Sequence, residues 1–261
     1  MPETPLRLNI LHTNDFHNAL TEAGAARLQQ AVSDLNGAPY LLLDAGDAIK
    51  AGNVGFNPFG EPILDRMSDL GYHAMTMGNR ESHFRNNILE IKLNRARFPV
   101  LCANLRARSS GVKLPVASHA EFTIGGLKVA VFGVTIPMVT AKQIENPAVA
   151  VASDFVYDSP IATAREMVAK LRWNADVLIA LTHIGLREDQ KLARDVSGID
   201  LIVGGHSHIT LTEPEMVNGT PIVQTGCYAH AYGHVTLEVA ADGKVCVAAA
   251  SLHPLQEGKR K

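Results

Sequence analysis

The sequence predicts an α/β fold of layered β-sheets with helices on the outside. Two observations carry that prediction. Short β-branched or apolar runs alternate with segments whose apolar residues recur at helical spacing. Polar residues cluster just after several of those runs, where α/β proteins present the carboxyl ends of their strands. A chain of 261 residues can hold one large domain or two small ones. No internal repeat or low-complexity linker divides it, so a single domain is expected.

The elements follow in order. "LRLNILHT" (6–13) reads as a strand, and "GAARLQQAVSDL" (24–35) as a helix with Leu28, Val32 and Leu35 on one face. "YLLLDAGD" (40–47) is a buried strand running into a polar turn. "EPILDRMSDLG" has Pro62 near a helix start and Gly71 at its stop. "AMTM" reads as a strand, "NNILEIKLNRA" as a helix and "PVLCAN" as a strand. "AEFTIGGLKVAVFGVT" reads as a hairpin turning at Gly125-Gly126. In "SPIATAREMVAKL", Ser159 is an N-cap, Pro160 stands at the first helical position, and Ile161, Ala164, Val168 and Leu171 share a face. "DVLIALTH", a short helix near 188–195 and "IDLIVGGH" follow, and "PIVQT", "GHVTLEVA" and "KVCVAAASL" close the chain as strands.

Composition narrows the function class. An apolar share of 46% against 19% charged residues is that of a soluble globular protein. A net charge of −2 argues against coating nucleic acid or a membrane surface, and the basic "EGKRK" end is too short for a binding patch. No apolar run reaches the roughly 20 residues that span a bilayer. Cys102, Cys227 and Cys246 are odd in number and widely spaced, which predicts reduced thiols. The opening "MPETPLRLNILHTNDFH" lacks the pattern of a secretory leader, so a cytoplasmic location is expected.

The chemistry lies in the polar residues at the strand ends. "NDFH" supplies Asp15 and His17, a spacing expected to put both side chains on one face of an extended segment. "DAGD" ends in Asp47, "GNRE" supplies Asn79, "LTH" ends in His183, and "GGHSH" supplies His206 and His208. Each signal alone is compatible with a turn or a hydrogen-bonded structural histidine. Together they place seven N and O donors at five strand ends, more than one tetrahedral ion needs. Sharing Asp47 between two ions would give two four-ligand sets with positions left for water and substrate. The imidazole, carboxylate and amide mixture suits Mn, Fe, Co, Ni or Zn. Two such ions about 3.5–4 Å apart form the usual clamp for phosphoester hydrolysis by an activated water.

In order, "LHTNDFH", "LLLDAGD", "MGNRE", "ALTHIG" and "IVGGHSH" resemble the five motif blocks of calcineurin-like metallophosphoesterases. The catalytic domain of the 5′-nucleotidase branch is the nearest likeness. "GEPILDRMSDLGYHAMTMGN", "PVLCANL", "LKVAVFGVT" and "PIVQTGCYAHAYGHVTLEV" extend it over nearly the whole chain. The resemblance implies a four-layer α-β-β-α sandwich with two packed mixed β-sheets. It implies one metal site from Asp15, His17, Asp47 and His208, and a second from Asp47, Asn79, His183 and His206. Asn79, Arg80 and His183 would border a small phosphorylated substrate, and two divalent ions would be the cofactors.

Two departures from the family pattern shape the expected activity. The 5′-nucleotidase branch usually carries a C-terminal domain that stacks the base between aromatics, and 1–261 reads as the catalytic domain alone. Phe56, Phe59, Phe84, Tyr228 and Tyr232 lie near site loops but read as local packing. The second departure is "MGNRES". The family usually places its proton-donating histidine where Arg80 stands, and the 5′-nucleotidase branch often places an aspartate where His83 stands. Arginine stays charged and can grip phosphoryl oxygens but cannot act as a general acid. The catalytic expectation is therefore that Arg80 holds charge and that His83, or a metal-bound water, supplies the proton. The alternatives are a phosphodiesterase or pyrophosphohydrolase acting on cyclic or sugar nucleotides, or a weakly active metal-holding regulatory protein. Among the other histidines, His12 is expected to be structural, His73, His119 and His253 to lie on the surface, and His230 and His234 not to be ligands.

Overall fold

The computed structural model describes residues 5–256, so the basic 257–261 end falls outside the described part. Its first half carries β1 (Leu6–Thr13), α1 (Glu22–Asp34), β2 (Tyr40–Asp44), α2 (Pro62–Asp69), β3 (Ala74–Thr76), α3 (Asn86–Leu93), β4 (Val100–Leu101) and β5 (Leu105–Ala107). The hairpin β6 (His119–Ile124) and β7 (Leu127–Thr135) follows, then α4 (Ala141–Ile144), α5 (Pro147–Ala152), β8 (Phe155–Tyr157) and α6 (Pro160–Leu171). The last third holds β9 (Val177–His183), α7 (Leu186–Asp195), β10 (Leu201–Val203), β11 (Glu215–Val217), β12 (Thr220–Val223), β13 (Ala231–Val239) and β14 (Val245–Pro254).

Two six-stranded mixed sheets result, ordered β14-β13-β1-β2-β3-β4 and β11-β12-β10-β9-β7-β6. In the first, β1 to β4 are parallel, β13 runs antiparallel to β1, and β14 runs antiparallel to β13. In the second, β12, β10, β9 and β7 are parallel, with β11 and β6 as antiparallel edges. The parallel cores follow from the helices between strands, since parallel neighbours need a crossover connection. The tight hairpin follows from Gly125 and Gly126, whose φ values of 58° and 83° fit the primed turns that glycine permits.

The period-2 pattern of the strands explains the layering. Ile10, Leu41 and Leu43 point between the sheets, where they meet Val129, Val131, Val177, Ile179 and Leu181. Their neighbours Leu11 and Leu42 point the other way, onto Leu28 of α1, Leu64 and Met67 of α2, and Leu89 of α3. On the far side, Phe132, Val134, Leu178 and Ala180 pack against Ala164 and Met167 of α6 and Leu192 of α7. The order is helix, sheet, sheet, helix, the four-layer sandwich expected from the sequence. Each fully buried Leu, Ile or Phe in these layers contributes about 1.5–3 kcal/mol against exposure.

Some local structure differs from the sequence reading. β5 and β8 form a separate two-stranded antiparallel sheet, and α4, α5 and β11 are further elements the periodicity did not predict. Pieces this short hold too few residues to express a period. His73 is not a surface residue. It is half-buried with its ring edge-on to Tyr40 and Phe122, and its Nδ1 accepts the Leu42 N–H at 3.1 Å. His119 and His253 are also half-buried, the latter stacked on Tyr232. His12 is structural as expected: it is buried, and its Nε2 would lie 1.9 Å from a Cβ at residue 233, which explains Gly233 opposite it.

Candidate metal centre

The strand ends of both sheets bring the predicted donors together. β1 delivers Asp15 and His17, β2 delivers Asp47, and β3 delivers Asn79. The second sheet supplies His183 at the end of β9, and His206 and His208 just after β10. The i, i+2 pairs converge by a different route from the one the spacing suggests. Asp15, His17, Asp47, His206 and His208 have φ of 53°, 48°, 57°, 76° and 57°, so the segments are left-handed turns rather than extended strand. Non-glycine residues there cost of order 1–3 kcal/mol each, and they persist where surrounding contacts over-determine them.

Those contacts are specific. The Asp15 and His17 N–H groups donate to the Gly46 and Asp47 carbonyls at 2.8 and 2.9 Å, knitting the first two loops together. Asn14 Nδ2 donates to Asp15 Oδ2 at 2.8 Å and to the Gly226 carbonyl at 2.6 Å, while its Oδ1 accepts both Thr225 donors. The His206 N–H donates to the same Asp15 oxygen at 2.9 Å. Gln224 holds the His-x-His loop by accepting from Ser207 Oγ and the Ile209 N–H and donating to the Gly205 carbonyl. Glu81, fully buried, accepts three backbone N–H groups, those of Gly78, Asp47 and Ile49, at 2.8, 2.9 and 3.1 Å. Gly78 and Gly205 are cradles: a Cβ at Gly78 would meet Asp47 Oδ1 at 2.3 Å, and one at Gly205 would meet the Ala45 carbonyl at 2.6 Å.

Two clusters of donor atoms emerge. In one, Asp15 Oδ1 is buried without a hydrogen-bond partner and lies 3.3 Å from His208 Nε2 and 3.7 Å from His17 Nε2. The two imidazole nitrogens are themselves 2.9 Å apart. In the other, His183 Nε2 lies 3.4 Å from Asp47 Oδ1 and 3.1 Å from Asn79 Oδ1, which also meets His206 Nδ1 at 2.8 Å. Candidate ligand atoms of Asp15, His17 and His208 lie within 4.8 Å of one another, and so do those of Asp15, Asp47 and His183. Asp15 thus belongs to both groups, whereas the sequence reading made Asp47 the shared carboxylate.

A buried carboxylate oxygen without a protein partner, facing two imidazole nitrogens, is the donor chemistry of a divalent-cation site, and the residues fit such a metal. His183 Nδ1 donates to the Ala45 carbonyl at 2.7 Å, which leaves Nε2 as the free donor atom. Burial and the Arg80 charge lower the His17 pKa to about 4, and burial lowers that of His206, so both rings are neutral, the form that ligates. Burial would lower His183 too, but its hydrogen bond to Asp47 and that carboxylate's charge outweigh it and raise the pKa to about 9, so Nε2 carries a proton that a binding cation would displace.

Arg80 and His83 part company in space. The Arg80 N–H donates to Asp47 Oδ1 at 2.7 Å, Nη1 donates to the Lys50 carbonyl at 2.9 Å, and Nε lies 3.5 Å from Asp47 Oδ2. The guanidinium therefore borders the centre. His83 is buried, stacked on Phe84 at 4.3 Å, with Nδ1 accepting the Arg85 N–H at 2.9 Å. None of its described contacts is with a candidate ligand. Among the aromatics, Tyr228 sits closest to the centre, its ring 5.0 Å from that of His17 and 5.9 Å from that of His208. Phe56 and Phe59 are exposed. Beside the second cluster, a cavity of about 610 Å³ begins at Ile184, the residue after His183, and is lined by Ile136, Pro137, Tyr157 and Pro160.

Residues 8–210 match the family model described as calcineurin-like phosphoesterase. The chain belongs to the calcineurin-like phosphoesterase family. Within this phosphoesterase family it is 33% identical over 235 residues to a 5′-nucleotidase of Bos taurus, covering 79% of the chain and 39% of that protein. It is 32% identical over 273 residues to a 5′-nucleotidase of Vibrio parahaemolyticus, covering 88% of the chain and 47% of that protein. The crystal structure of a 5′-nucleotidase precursor from Thermus thermophilus superposes with a TM-score of 0.79 at 27% identity, over 95% of this chain and 54% of that one. The phosphoesterase chain thus spans less than half the length of these two curated relatives.

Sequence reasoning missed Asn14, Glu81, Lys92 and Gln224, which hold the loops. Asn14 and Glu81 lie inside the quoted motif blocks, and Lys92 carries a signal of its own. It lies on the same helical face as Leu89, three residues earlier, where an apolar residue is expected.

Proposed function

We propose that the protein is a dinuclear-metal phosphoesterase acting on small phosphorylated metabolites, nucleotides foremost. The observation that carries this reading is the convergence of seven N and O donors from two sheets beside one guanidinium. On the family resemblance, Asp15, His17, Asp47 and His208 would hold one ion, and Asp47, Asn79, His183 and His206 the other, with Asp15 also within reach of the second group. Mn, Zn, Fe, Co or Ni suits the donors. Bound ions of this kind supply a water of lowered pKa and neutralise phosphoryl charge. The nucleotide preference draws on relatives named 5′-nucleotidase. A single catalytic domain and a cytoplasmic location belong to the same proposal, the latter supported by three free cysteines.

The chain's own residues set the leaving-group preference. Arg80 grips phosphoryl oxygens and orients the ester, with Asn79 and His183 bordering it. An arginine guanidinium is not a proton donor to a departing oxygen. His83 is engaged by Phe84 and the Arg85 N–H, so the acid role once expected of it has no contact behind it. Esters whose leaving groups depart as weak bases, such as aryl phosphates and anhydrides, should turn over fastest.

A manganese-supplemented assay on an aryl monophosphate, its bis-aryl diester and an alkyl monophosphate tests this. Faster turnover of the aryl monophosphate than of the alkyl ester is expected. A faster diester would favour the phosphodiesterase alternative. No turnover of any of the three, with metal bound by calorimetry, would replace the reading with a metal-holding regulatory protein.

A further inference from the structure

Lys92 is fully buried, whereas every other lysine among the described residues is exposed. It stands on α3 beside Leu89 and Leu93, both packed into the helix–sheet core. Its ammonium spends all three protons on main-chain carbonyls: Arg80 at 2.6 Å, and Gly52 and Ser82 at 2.9 Å each. An apolar residue would suit that face better, since burying an ammonium is costly unless its protons are met. The carbonyls it meets explain its place. Two of them flank Glu81 in the Gly-Asn-Arg turn. The third belongs to the 50–52 segment, whose Lys50 carbonyl accepts Arg80 Nη1.

Arg80 is therefore held at both ends through one side chain. Its main chain is fixed by Lys92 and by its own N–H on Asp47, and the anchor of its guanidinium lies two residues from a carbonyl that Lys92 also fixes. We infer that Lys92 is a positioning residue that sets the Arg80 guanidinium for phosphoryl recognition. This rests on the phosphoesterase reading above and assigns the residue that replaces a side-chain partner for the group at position 80.

The test is a double-mutant cycle on the manganese-loaded protein, read by inorganic phosphate affinity in calorimetry and by aryl phosphate kcat/KM. Lys92→Met is expected to weaken both by about tenfold or more when Arg80 is present. In the Arg80→Ala background it should change neither by more than about twofold, because residues acting as one unit are not additive. Manganese affinity should stay within about threefold throughout. Equal losses in both backgrounds would make Lys92 a merely structural residue and overturn the inference. Phosphate affinity unchanged by Arg80→Ala would also overturn it, while aryl phosphate turnover would leave the phosphoesterase reading standing. A wild-type protein that neither binds phosphate nor turns over the ester would sink that reading and this one together. Should Lys92→Met fail to fold, Lys92→Gln, which keeps two N–H donors, carries the same cycle. If neither folds, the residue is structural and the inference falls.

Discussion

Glu81→Ala and Glu81→Gln together separate two opposing contributions of one buried carboxylate. In the fold, Oε2 accepts the Asp47 and Gly78 N–H groups and Oε1 accepts that of Ile49. Alanine orphans all three amides, at about 1–3 kcal/mol each, a gross loss of roughly 3–9 kcal/mol. Against this stands relief of buried charge. Burial, and then the nearby Asp47 carboxylate, raise the Glu81 pKa from 4.5 to about 7. At pH 8 that shift corresponds to roughly 3 kcal/mol held against the ionised native form. The expected net loss for Glu81→Ala is about 3 kcal/mol. Glutamine keeps one carbonyl for the Asp47 and Gly78 amides and orphans only that of Ile49, so loss and relief nearly cancel, leaving a change within about 1 kcal/mol. Urea unfolding of the metal-free proteins at pH 8 measures both. The native carboxyl binds a proton that the unfolded one has lost between pH 4.5 and about 7. Wild-type stability from this group therefore falls as pH rises through that window, and Glu81→Gln should drop below wild type near pH 5.5. Equal stabilities for the alanine and glutamine variants at pH 8 would refute the reasoning.

Two further outcomes follow from the geometry. Gly205→Ala would place a methyl 2.6 Å from the Ala45 carbonyl and 3.0 Å from His183 Nδ1. It should cost about 1–3 kcal/mol of stability and weaken manganese binding about tenfold or more, read by thermal melting and calorimetry; wild-type affinity would contradict the cradle. Burial, then the His234 charge, lower the His12 pKa from 6.5 to about 3. The unfolded chain therefore binds the extra proton between those values, and stability rises with pH there at up to about 1.4 kcal/mol per unit. His12→Leu should flatten that slope in urea unfolding between about pH 4.5 and 6.5, and an unchanged slope would rule the assignment out.

The layered fold and the seven donors were legible because each donor directly follows an apolar run that is visibly a strand. The supports were not. Asn14 meets Thr225, Glu81 meets Ile49, and Lys92 meets Gly52, pairings between distant loops that no local pattern records. Most of these partners are backbone N–H and C=O groups, which every residue type carries. The left-handed turns escaped for another reason. Asp15, His17 and His208 are not the glycines that announce a positive φ, so their spacing read as strand. His73 misled because its ring fills a gap between two aromatics, a matter of tertiary contact that its surroundings in sequence do not show.

Four of the donors are rooted in one sheet and three in the other, and the face between the sheets is otherwise filled chiefly by aliphatic side chains. A cation bound there would act as a rivet at the end of the sandwich. Anything that lets one sheet slide on the other must pull Asp15 away from His208 and Asp47 away from His183. Ion affinity and resistance to shear are then one quantity seen from two directions, by linkage. Loosening the aliphatic seam, for instance at Val131, would be felt as weaker ion retention at a distance, with no ligand touched.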